Sequence, residues 1–173
     1  MKKEKWLNTL TLAIGIALLP PVWAVLSPYL GVTTGAVALI CAGLYVANGS
    51  KISMAVPISV GFLLGDAWAV LALKMMDKMQ LNENIELYLT LFVLGGIAVI
   101  AGTLLEKIVF VPSWLCGWAI GLTILAPLGI GKIGSLPLQI GVAMLAGVWY
   151  VGVGVDLFQK RLLQIFRNDR KGK

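Results

Sequence analysis

Few side chains in this sequence could do chemistry. There is no histidine among the 173 residues. That removes imidazole acid–base catalysis, Ser-His triads, His-ligated haem and nearly every zinc site. Cys41 and Cys116 both lie inside apolar runs and read as small packing residues rather than a disulfide. One group stands apart. Asp66 is the only charged residue between Ile52 and Leu73. An aspartate in the middle of a membrane helix costs about 2.5–3.5 kcal/mol on insertion scales. Its own helix offers nothing in return, since Phe62, Leu63, Ala69 and Val70 are its i±3 and i±4 neighbours. A second helix or a wetted cavity must therefore satisfy it. Two readings stay open: a group that binds solute or proton, and a protonated or hydrogen-bonded aspartate that ties two helices together.

Counting depth along the apolar runs places other special residues near the level of Asp66: Pro20 and Pro21, Gly95 and Gly96, Thr123 and Gly141. A proline frees the carbonyl four residues earlier, here those of Ile16 and Ala17. Bare backbone survives in a membrane only against protein or a watered cavity. The expectation is a polar ring of the Asp66 carboxyl, freed carbonyls and the Thr123 hydroxyl, flanked by glycines, with Trp68 as a pore-lining candidate. The alternative is kinking and packing alone. A catalytic carboxylate dyad is excluded, because Asp156, the nearest candidate, lies about 20 Å away in depth at 1.5 Å per residue. Asp156 instead pairs with Lys160 at i+4. No phosphate-cradling, nucleophile, metal or cofactor motif is visible, so no enzyme activity is expected.

The elements that position these residues follow from hydropathy. Of the chain, 59% is hydrophobic and 13% charged, with a mean hydropathy of +0.92. A soluble domain of this length cannot hide so much apolar surface. Lipid accepts it, and about 20 apolar residues make one crossing. The reading is an all-α, polytopic transmembrane bundle over 1–158. Six segments fall at about 6–26, 32–47, 52–73, 87–105, 108–125 and 133–157, with a basic tail over 159–173. Segment 2 is short enough to be re-entrant. A basic start followed by Val22-Trp23-Ala24 also fits a cleaved leader, but an intact first helix completes the charge pattern. With both termini inside, eleven of the 14 Lys and Arg face the cytoplasm and only Lys74, Lys78 and Lys132 face out, as the positive-inside rule requires. The net charge of +6 thus addresses anionic lipid, not nucleic acid.

Two further patterns bear on architecture. Lys51-Ile52-Ser53, Pro57–Gly61 and Trp68 can be laid over Lys132-Ile133-Gly134, Pro137–Gly141 and Trp149 at an offset near half the chain. Three segments per half makes this an inverted 3+3 repeat, a plan that places a site between the halves. Chance recurrence of Gly, Pro and Trp is the alternative. Small-residue motifs at Gly31–Gly35, Gly61–Gly65 and Gly117–Gly121 allow close helix approach, within the chain or in a homo-oligomer. Trp6 and Trp114 read as interface anchors.

Trp23–Leu26, Leu30–Ala36, Gly43–Ala47, Gly61–Gly65 and Ala67-Trp68-Ala69 resemble the YcdZ-like family of bacterial inner-membrane proteins. The resemblance covers a third to a half of the chain and implies an inner-membrane location, but no substrate. Asp66 is not part of the shared pattern. From the residues themselves, the expected function is a channel or transporter for a small polar solute (urea, an amide, ammonia or a short-chain acid), oligomeric in the bilayer. The alternative is a membrane subunit or scaffold acting through helix contacts and the basic tail.

Overall fold

A computed structural model describes residues 2–171, and the side chains of 4–166. The chain is helical throughout, with no strand among the described residues. Helix α1 (Lys2–Leu26) leads through a 3-10 turn (Ser27–Leu30) to the short α2 (Val37–Ala47). Then come α3 (Ala55–Met79), α4 (Glu83–Leu104) and α5 (Val111–Leu125). The last rod is α6 (Leu136–Ala146), a π-helical stretch (Gly147–Val153) and α7 (Gly154–Lys171), read as one continuous helix. Five stretches are long and apolar enough to cross a bilayer, and α2 is a shorter apolar helix.

Local chemistry sets the boundaries. The backbone turns after α1 because Gly31 takes φ +75°, the left-handed conformation that glycine adopts without strain. Gly31–Gly35 is therefore a turn, not a helix face. Helix α1 carries Pro20 and Pro21 without ending at them. The long polar loop expected over 75–86 shrinks to three residues, because α3 runs on to Met79 and α4 starts at Glu83. Asn82 caps α4 by accepting from the Asn84 N–H at 3.0 Å, and the Glu86 carboxylate reaches back to the Leu81 N–H at 2.6 Å. The tail expected at 159 continues as helix α7. Its basic side chains at 167–173 lie outside the described side chains.

Contacts fix the direction of every segment. Gln159 donates to the Asn8 carbonyl at 3.0 Å, and Gly15 packs on Val155. So α1 and α7 are antiparallel, and both ends of the chain meet at one end of the bundle. An even number of crossings follows. The short segment 2 completes it. Thr33 donates through its N–H and its hydroxyl to the Gln139 carbonyl oxygen. Ala38 and Cys41 pack on Gly147, and Tyr45 packs on Gly152. The stretch from Thr33 to Tyr45 thus keeps pace with 13 residues of the rod beside it, about 20 Å. Segment 2 runs alongside the rod in one direction and does not turn back on itself.

The helix pairs form two matching sets. Helices α3 and α5 run parallel, with Gly61 and Gly65 facing Ser113 to Trp118, and Gly117 and Gly121 facing Phe62 to Ala69. Helix α2 and the last rod also run parallel, in the opposite direction. Antiparallel α4 flanks α3 through Trp68, and antiparallel α1 flanks α7. Exchanging α1 for α4, α2 for α5 and α3 for the last rod reproduces the pattern upside down. That is the pairing an inverted 3+3 repeat produces. Of the three glycine motifs expected to pack closely, Gly61–Gly65 and Gly117–Gly121 do so within this chain. In lipid, where apolar surface gains nothing by helix contact, such close packing is what holds helices together.

The π-helical stretch has a clear role. Gly147 and Gly152 both press on α2. Residues five apart share a face only where the helix is wound i→i+5. The same stretch aims Trp149, whose indole N–H donates to the Ser59 hydroxyl at 3.0 Å while Ser59 donates to the Ala55 carbonyl at 2.8 Å. Trp149→Phe is expected to destabilise the folded protein by about 1 kcal/mol, the net worth of one such bond, seen as a lowered thermal midpoint in detergent. An unchanged midpoint would remove this bond from the contact between α3 and the π-helical stretch.

Candidate functional site

Asp66 is 7% exposed, on the face of α3 between α5 and α6. Glycines supply the room. A Cβ at Gly121 would sit 3.3 Å from its Oδ1, and one at Gly141 would sit 4.0 Å from its Oδ2. Oδ1 is fully enclosed and has no hydrogen-bond partner among the described residues. The carboxyl stands at one wall of an open groove of ≈ 620 Å³ between α3 and α6. That volume lies within the roughly 300–1,000 Å³ of small-molecule sites. The rest of the groove is apolar: Leu63, Ala67 and Val70 on α3, and Pro137, Leu138, Val142 and Leu145 on α6. Among the described residues no lysine or arginine lines it, and the Asp156–Lys160 ion pair, at 2.6 Å, lies at the far end of the rod.

The polar ring expected from depth counting does not assemble. Only Gly141 joins Asp66. Thr123 is exposed and donates to the Ala119 carbonyl of its own helix at 2.8 Å. Serine and threonine hydroxyls in apolar helices bond back in this way when no other acceptor is near. Pro20 and Pro21 lie on α1. Pro20 and Ile16 border a separate apolar cleft against α2, lined by Leu39, Ala42 and Val155. Gly95 faces the Trp118 ring at 3.8 Å, and Gly96 has nothing within 4 Å. Trp68 turns toward α4, donates to the Leu94 carbonyl at 3.1 Å and meets Trp114 edge to face at 5.1 Å. Trp114 is 3% exposed and belongs to the core, not to the interface. Trp6, 68% exposed, keeps an anchor's position.

These departures share one cause. Depth along a helix is readable from sequence, but the direction in which a side chain points is not. Asp66 and Trp68 are two residues apart, hence about 200° apart around α3 at 3.6 residues per turn. Sequence reasoning missed Gly121 as a site residue because it was absorbed into a packing motif. It serves both roles, closing on Ala69 and making space for Oδ1.

A family model described as a protein of unknown function, DUF1097, matches residues 13–160. The chain belongs to the DUF1097 family. The matched stretch of this DUF1097 chain contains both walls of the groove, with Asp66 and Gly141, and Gly121 behind Asp66 on α5. No curated protein and no solved structure matches the chain.

Proposed function

We propose that this DUF1097 protein is a channel or transporter for a small polar solute, which passes between the two halves of the bundle at Asp66. The observation that carries this reading is the buried Asp66 carboxyl at the wall of a groove made by α3 and α6, the corresponding helices of the two halves: its Oδ2 side faces Gly141 of the groove, while Oδ1 is enclosed without a partner against Gly121 of α5. A lone carboxyl without a protein partner suits a ligand that donates hydrogen bonds, as urea, short amides and ammonia do. It does not suit an ionised short-chain acid, which would bring like charge to like. The site lacks a second carboxyl, a nucleophile or a metal cluster among the described residues, and the proposed role is passage rather than catalysis. Trp23–Leu26 and Leu30–Ala36 resemble the YcdZ-like proteins. That resemblance, with the concentration of Lys and Arg at the end bearing both termini, favours a bacterial inner membrane with both termini in the cytoplasm. Helices α1 and α4 present mostly exposed apolar side chains, surfaces for lipid and for further copies of the chain.

Swelling of proteoliposomes tests the reading. Vesicles holding the native protein are expected to swell in urea or acetamide at least tenfold faster than empty vesicles. Those holding Asp66→Asn are expected to match empty ones. If native vesicles stay as tight as empty ones to urea, acetamide and acetate alike, the protein acts as a scaffold or subunit through its helix contacts.

A further inference from the structure

The groove at Asp66 is not built for every polar solute. Its chemistry consists of one carboxyl and a set of hydrocarbon walls. A metal cation needs several oxygen ligands around it, and no group of three metal-ligating side chains exists among the described residues. A neutral amide can donate to Asp66, but no other polar side chain lines the groove to meet its carbonyl oxygen, so it is held there less tightly than a donor that also brings a charge. What complements the site is a single positive head that donates hydrogen bonds, carried on a short apolar body. We infer that the Asp66 groove binds a small organic ammonium. Its head sits on the Oδ2 side of the Asp66 carboxyl, in the space beside Gly141, and its alkyl portion lies on Leu63, Val70, Leu138 and Val142. This deepens the transport reading above and rests on it for its biological sense.

The charge argument is the stronger half. Burying a carboxylate is costly unless an opposite charge or donors accompany it. Across the described residues the lysines and arginines lie outside the groove, so only a proton or a cationic ligand can neutralise the carboxylate, and an ammonium does so while also donating hydrogen bonds. The wall argument gives selectivity. Each methylene covered on transfer from water contributes roughly 0.8 kcal/mol, a factor of about four in affinity. Affinity should climb along the series methyl-, ethyl-, propyl- and butylammonium until the chain outgrows the groove.

The probe is n-butylammonium chloride, with n-butyramide and butyrate as partners of the same length, added to the purified full-length protein in nanodiscs. Binding is followed by ligand-observed NMR. Butylammonium is expected to bind at least tenfold more tightly than butyramide and than butyrate, and methylammonium more weakly than butylammonium. Asp66→Asn should lose at least tenfold in affinity for butylammonium. Val142→Phe, at an exposed position on the wall, should weaken butylammonium more than methylammonium while the thermal midpoint stays put. Equal binding of butyramide and butylammonium, or undiminished binding by a folded Asp66→Asn protein, overturns the inference. If that happens while urea or acetamide swelling still depends on Asp66, the transport reading survives with a neutral solute. If swelling fails as well, both readings fall.

Discussion

Gly65→Ala is expected to lower the stability of the folded protein by about 1–2 kcal/mol, and Gly65→Val to leave little folded protein at all. A Cβ at Gly65 would meet the Trp118 nitrogen at 2.5 Å and the Gly117 carbonyl carbon at 2.8 Å, and would press on the Trp114 carbonyl oxygen. All three obstacles are backbone, so no side chain can rotate away. Helices α3 and α5 would have to separate along the whole of their parallel contact. Overpacking a core by one carbon costs typically 1–3 kcal/mol. The upper half of that range applies here, less the roughly 1 kcal/mol by which alanine favours a helix over glycine. Helix separation is serious in a membrane, where dispersion contacts between close backbones replace the hydrophobic drive that water would give. Gly43→Ala and Gly96→Ala are the controls. Neither has an atom within 4 Å of its would-be Cβ, so both should leave the thermal midpoint unchanged or raise it slightly. A Gly65→Ala protein as stable as these would disprove the parallel α3–α5 packing.

Hydropathy and charge carried most of the architecture. The six segments, the placing of Lys51 and Lys107 at the end with both termini, and the Asp156–Lys160 pair all follow from one-dimensional features: run length, sign and an i+4 spacing. The offset between Lys51–Trp68 and Lys132–Trp149 anticipated the exchange of α3 with the last rod. What sequence could not give was rotation about each helix axis. Trp68, Trp114 and Thr123 share a plausible depth with their expected roles, yet each turns to a different neighbour. The π-helical winding at Gly147–Val153 is likewise invisible in composition. It exists because Gly147 and Gly152 must both face α2. The candidate site was half legible. Asp66 announces itself by charge in an apolar run. Its glycine neighbours from α5 and α6 carry no mark that separates making space from packing.

Asp66→Leu is expected to raise stability and abolish passage together. Leucine branches at the same carbon as aspartate and places two methyl groups near the positions of the two carboxyl oxygens, and the open side of the groove accepts the slightly longer branch. In the native protein one of those oxygens is enclosed without a partner. Mutational data put the cost of burying such a group at about 1–3 kcal/mol. Removing it should return most of that amount, raising the thermal midpoint in detergent. Solute entry into proteoliposomes should fall to the level of empty vesicles, at least tenfold. The two readings of Asp66 that the sequence left open then give opposite signs. An aspartate that ties helices together would make the leucine variant less stable and leave passage near native. An aspartate held for a ligand makes it more stable and inactive. Asp66→Asn separates charge from shape. It keeps a polar group in the same volume, so its midpoint should stay near the native one while passage is lost. Gain of stability with loss of transport in the leucine variant cannot come from a misfolded bundle, which is why this pair of measurements weighs more than either alone.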